Sequence, residues 1–319
     1  MALSFCHHFH YSSLSSSSSS SISRPPATLP SSSSSCSFSR PRISASSTSS
    51  SPLDFPYVSP PHRNLMVDLI STVETRLGSQ LLPCTLPPDV QSFQNQSGNT
   101  HGCLHIRSGH KSSPIDFIFG SWLHSELPTG EALNITSLSA YLSPSTDAPN
   151  FLMEVIQSSP TLLILILDLP PRKDLVLHPE YLQTFYEDTK LDTRRQLLDK
   201  IPEVKPYYSS SLYLRSVVSP TAITVRIEAD AGGPGRLEEI IKYHLDPIAK
   251  VVLGTWLDQC ACVKREVGET QRAHLQNRDK LIKSKSIEID LEPNFPRLFG
   301  RQTADRVLGS IQQVFFKMI

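Results

Sequence analysis

Between Asn150 and Gln157 the side chains alternate onto two faces, and both faces are apolar except for one glutamate. Phe151, Met153 and Val155 would share one face of a strand, and Leu152, Glu154 and Ile156 the other. A strand apolar on both faces is covered on both faces. The Glu154 carboxyl is therefore predicted to be desolvated, which favours its protonated form. Two roles fit such an acid: an ion pair with an arginine of a neighbouring strand, or a functional acid.

The same periodicities lay out the rest of the chain. Leu65, Met66, Leu69, Ile70, Val73 and Leu77 form a helical stripe. A Pro-rich connector and a polar loop, SFQNQSGNTHG, lead to His105–His124, which reads as two strands around a turn containing Gly109. ALNITSLSAYLS adds a strand, and the Glu154 strand then pairs with TLLILILDLP in a hairpin across QSSP. From His178 a charged amphipathic helix runs to Pro202. SSLYLRSVVS and AITVRIEA read as two more strands, and GGPG (232–235) as a sharp break. Helices follow: one from Leu237 that Pro247 kinks or splits, a charged one over about 269–285, and a last one with Val307, Leu308, Ile311, Val314 and Phe315 on one face. Hairpin strands with helices before, between and after them predict an antiparallel sheet covered on both faces, an α/β sandwich of three layers.

Composition changes the picture at the N-terminus. Nearly half of residues 1–50 are serine, the only basic charges there are Arg24, Arg40 and Arg42, and the first acid of the chain is Asp54. That is the composition of an organelle transit peptide, a chloroplast one by preference, so residues 1–50 are read as a leader and 51–319 as one domain. The whole chain of 319 residues has zero formal net charge, which is not the balance of a nucleic-acid binder. No apolar run is long enough to span a bilayer. Cys84, Cys103, Cys260 and Cys262 lack a zinc or redox spacing and are read as unlinked thiols.

Candidate chemistry is sparse. Walker, dinucleotide, nucleophile-elbow and zinc motifs are missing; His101, His105, His110 and His124 with Cys103 fit no metal-ligand spacing. A second acid, Asp290, stands between Ile289 and Leu291 before a Pro- and aromatic-rich stretch read as a pocket-lining loop, or else it caps the following turn. Tyr207, Tyr208 and Ser209 stand at a strand entrance, where aromatic faces and hydroxyls suit a flat carboxylated ligand. Arg278, Lys280, Lys283 and Lys285 cluster ahead of Asp290, as an acidic partner's docking face or an ordinary solvated helix face.

The blocks FPYVSP, LMVDLISTVETRL, QLLPCTLPPDV, LHIRSGHKSSPIDF, LNITS, APNF, LILDLPPRKDLVL and FPRLFG occur in order from Asp54 to the C-terminus. Together they resemble the red chlorophyll catabolite reductase family. The resemblance implies a fold related to ferredoxin-dependent bilin reductases and a chloroplast enzyme, stromal and in contact with thylakoids. Its substrate would be red chlorophyll catabolite, an opened tetrapyrrole made by pheophorbide a oxygenase, and its product the primary fluorescent catabolite. Electrons would come from reduced ferredoxin with no bound cofactor. The resemblance carries the family's two acids onto Glu154 and Asp290, with Glu288 and Glu292 as neighbouring alternatives to the latter, and its substrate-binding segment onto Tyr207, Tyr208 and Ser209. Because members make two product epimers, a wall residue must set the tilt of the pigment, and Val218 is preferred to Val217 for that role. A tetrapyrrole scavenger or carrier without turnover is the alternative, and a homodimer is compatible with either.

Overall fold

The strands β1 (Ser92–Gln94), β2 (Thr100–Ser108), β3 (Ile115–Glu126), β4 (Ala132–Leu142), β5 (Phe151–Gln157), β6 (Leu162–Asp168), β7 (Val204–Pro206) and β8 (Ile223–Glu228) form one sheet. Its order is β1-β2-β3-β4-β5-β6-β8-β7, antiparallel throughout. The computed structural model describes residues 53–128 and 130–316; the leader predicted over residues 1–50 lies outside the described residues.

Alternation along β5 sorts the two sides of the sheet as predicted. Phe151, Met153 and Val155 join one cluster with α1 (Pro60–Leu77), α3 (Pro179–Leu182), α4 (Leu191–Leu198), α6 (Gly233–Ile240) and α7 (Asp246–Trp256). On the other side Leu152 and Ile156 pack under α5 (Leu212–Val217), α8 (Glu269–Ser286), α9 (Glu292–Phe299) and α10 (Arg301–Phe315). The single turn α2 (Pro88–Gln91) adds Val90 to that second side. Three layers result, and Glu154 belongs to the interface between the sheet and the C-terminal helices.

Four local expectations are corrected. The stretch 210–219 holds the helix α5, over Leu212–Val217, and not a strand: the Ser211 hydroxyl accepts from the Leu214 N–H at 3.2 Å and starts the turn. Leu214 and Val217, three apart, are then buried together on the sheet, each worth about 2 kcal/mol. In so short a run, spacings of two and three fit the same residues. The helix from His178 is broken at Lys190, which takes a left-handed φ of 54°. GGPG does not merely interrupt the chain but starts α6. The polar segment from Ser92 opens with the edge strand β1.

Prolines shape the helical layers through π-helical turns. The turns Ile241–Leu245 and Ile287–Leu291 precede Pro247 and Pro293. Proline has no N–H to offer the carbonyl four residues back, and the wider turn shifts bonding to the five-residue spacing: Asp246 N–H to Ile241 O, Glu292 N–H to Ile287 O. The stretch after Asp290 is accordingly helix α9 and not the predicted loop, with Pro296 inside it.

Candidate active site

Glu154 is 1% exposed, in the middle of the sheet. Across from it stand Ser137 on β4 and Ile166 on β6, so neither neighbouring strand sets an arginine opposite it. The Oγ atoms of Ser137 and of Ser139, two residues along the same face of β4, are buried with no hydrogen-bond partner among the described residues. An unsatisfied buried hydroxyl carries a desolvation penalty of about 1–3 kcal/mol. Beside the carboxyl they form a polar floor suited to a ligand's heteroatoms. The signal for these serines was present in LNITSLSAYLS, as polar residues at alternate positions of a strand that must be covered on both sides.

Tyr207 reaches the same face. Its N–H bonds to the Thr224 carbonyl at 2.9 Å, extending the β7–β8 ladder by one residue. Tyr207 packs, partly buried, against the cluster formed by Leu152, Ile166, Leu214, Val217 and Ile282. Burial, then the charge of Glu154, raise the Tyr207 hydroxyl above its ordinary value, and a hydrogen bond with Ser209 opposes them. Glu154, Tyr207 and Ser209 thus share one electrostatic environment. Tyr208 does not join them; it is 74% exposed.

Asp290 lies in the π-helical turn after α8 and is 8% exposed, whereas Glu288 and Glu292 are exposed. Burial pushes its carboxyl up to about 7. The Asn294 side-chain amide donates to the Asp290 carbonyl at 2.6 Å and holds the turn. Tyr141, on β4 in the same interface, feels the Asp290 charge. Both candidate acids therefore lie in the layer between the sheet and the C-terminal helices, and Asp290 stands in a π-helical turn leading into α9 where the sequence suggested a loop.

Helix α5 forms the wall over this region. Val217 packs against Leu152 and Ile166, while Val218 is half-buried at the helix end. The two valines do not lie on opposite faces of a strand, as the sequence predicted: Val217 ends α5 and Val218 is its extended C-cap. Asp168, which the sequence reading did not single out, anchors that end. Its buried carboxylate accepts from the Ser219 hydroxyl at 2.5 Å and the Ser219 N–H at 2.9 Å. Burial raises it to about 6 against the pull of both bonds.

The basic cluster on α8 does not hold as a surface patch. Lys283 is 6% exposed, paired with Asp116 at 2.5 Å and stacked over the Phe117 and Tyr141 rings. Lys285 pairs with Glu288, Arg278 is half-buried, and Lys280 is exposed. The inward stripe of α8 comprises Leu275, Asp279, Ile282, Lys283 and Ser286; polar residues occupy core positions there, so hydropathy could not reveal which face is buried. Among the described residues, no group of three His, Cys, Asp or Glu side chains could hold a metal ion. His101 and His124 instead stack near Tyr57, and His124 bonds Asn134 at 2.8 Å. Cys84, Cys260 and Cys262 are free thiols, and no helix among the described residues is long and apolar enough to cross a membrane.

This sheet between two helix layers has the fold of a bilin reductase. Phytochromobilin synthase from tomato, solved in complex with biliverdin, is similar with a TM-score of 0.57 over 80% of this chain and 82% of that one, at 18% identity. Within that fold the sequence selects a family: residues 61–313 match the model for red chlorophyll catabolite reductase. Chloroplastic red chlorophyll catabolite reductase of Arabidopsis thaliana is 55% identical over 266 residues, 82% of this chain and 83% of the relative. Chloroplastic red chlorophyll catabolite reductase 1 of Oryza sativa subsp. japonica is 47% identical over 256 residues, 80% of this chain and 78% of that protein. The chain belongs to the red chlorophyll catabolite reductase family.

Proposed function

We propose that this chloroplast enzyme reduces a double bond of red chlorophyll catabolite, with reduced ferredoxin as the electron donor and Glu154 and Asp290 as the acids that supply or hold protons. Reduction of one conjugated double bond consumes two electrons and two protons. Ferredoxin delivers electrons singly, so each arrival leaves a radical that reverts unless a proton follows it. A carboxyl kept protonated near neutral pH by an apolar setting is matched to that task.

The observation that carries this reading is the pair of buried carboxyls in one interface of a chain of this family, one of them pushed to about 7. Ser137, Ser139, Tyr207 and Ser209 would orient the pigment over Glu154, and the α5 wall with Val218 would set its tilt. Ferredoxin supplies the reducing power directly, so the scheme needs no resident cofactor. Pheophorbide a oxygenase would supply the substrate, and the product would be the primary fluorescent catabolite. The test is anaerobic turnover with reduced ferredoxin, followed by loss of the red absorbance, gain of blue fluorescence and chromatography of the product. Tight binding of the pigment with no bleaching would make the protein a carrier and end the proposal.

A further inference from the structure

Two arginines meet near the C-terminal end of β6, and their surroundings differ. Arg172 is fully buried with its donors used. Nε and Nη2 bond Asp279 at 3.3 and 2.5 Å, and Nη1 bonds the Ser143 and Thr146 carbonyls at 3.2 and 2.6 Å. Arg278 sits one residue before Asp279, whose carboxylate Arg172 already holds. The Arg278 Nη1 atom is buried and has no hydrogen-bond partner among the described residues. Burial pulls its guanidinium below the usual value and the like charge of Arg172 adds to that, against Asp279, Tyr181 and Tyr213.

Arg278 stands one helical turn before Ile282 on α8, about 6 Å along the axis. Ile282 belongs to one buried cluster with Leu152 and Ile166, the latter directly across from Glu154. Tyr213 of α5, which packs on that cluster, is within the electrostatic reach of Arg278. An underused guanidinium fork thus stands over one end of the strand face that carries Glu154. Such a fork in a desolvated setting is shaped for a carboxylate, which it binds through two parallel hydrogen bonds.

We propose that Arg278 binds the free propionate carboxylate of the open-chain tetrapyrrole, and so fixes which end of the pigment lies toward α5 and α8. The inference rests on the substrate class proposed above. A chlorophyll-derived tetrapyrrole that has lost its phytyl ester carries one such carboxylate on an otherwise largely apolar frame. Arg278 recognises that group; Glu154 and Asp290, acids themselves, do not.

The test uses red chlorophyll catabolite and its propionate methyl ester, with binding followed by pigment absorbance in the absence of ferredoxin. Wild type should prefer the acid by ten- to a hundredfold, the range of a charge-assisted pair. Arg278→Gln should remove most of that preference, and Arg278→Lys should restore part of it. Arg278→Met keeps the volume and removes an unpartnered cation, so the ligand-free variant should melt at the wild-type temperature or above. Equal wild-type affinity for acid and ester, or an unchanged preference in Arg278→Gln, overturns the subsite while leaving the enzyme reading intact. A drop of more than a few degrees in Arg278→Met also overturns it, by making Arg278 structural. Wild type that binds neither pigment defeats the subsite together with the function on which it rests.

Discussion

Replacing Asp290 by asparagine should make the protein more stable and less active at once. Burial moves this carboxyl from 3.8 to about 7, roughly three units at about 1.4 kcal/mol each. Below pH about 4 both folded and unfolded chains hold the proton, and no penalty arises. Between about 4 and 7 the unfolded chain ionises while the folded one retains its proton, so stability falls as pH rises. Above about 7 the folded state carries the full penalty, up to about 4 kcal/mol. The amide has no such titration, although an imperfectly bonded buried amide costs about 1–3 kcal/mol. The net gain at pH 8 is then about 1–3 kcal/mol, or several degrees in a domain of this size. Paired urea denaturations of wild type and Asp290→Asn at pH 4 and pH 8 isolate the effect, since the raised titration of Asp168 cancels in the difference. A stability difference that is the same at both pH values would show that Asp290 has an ordinary carboxyl and would refute its role as a protonated acid. Turnover of the same variant should fall by two orders of magnitude or more, the usual contribution of a positioned acid.

Further outcomes follow from the same geometry. Glu154→Gln should fold and bind pigment but lose about a hundredfold or more in turnover; full activity would make Glu154 a structural residue. Val218→Phe at the half-buried end of α5 should fold and shift the product epimer ratio on chromatography, whereas Val217→Phe overpacks the Leu152–Ile166 contact and should lose about 1–3 kcal/mol in denaturant titrations. Lys283→Glu faces Asp116 in a buried setting and should destabilise by about 3–5 kcal/mol. Exposed Lys280→Glu should leave the melting temperature alone and raise the Michaelis constant for ferredoxin at low salt; no change would remove α8 from the docking face.

The alternation around Glu154 determined by itself that this acid would be buried, because period-two patterning assigns faces without reference to anything distant. The same logic made β4, the β5–β6 hairpin and α10 legible. Short runs were not: Leu212–Val217 satisfies strand and helix spacing alike, and a serine cap together with the Leu152–Ile166 surface beneath it decides for helix. The Pro-rich stretch after Asp290 looked like a loop because a π-helical turn, stabilised by its neighbours, is not visible in propensity. Which charges on α8 are inside was hidden for a further reason. Lys283 and Asp279 occupy core positions only because Asp116 and Arg172, remote in sequence, neutralise them there. Burial of an apolar side chain is a property of the segment; burial of a charge depends on a partner that only the tertiary fold supplies.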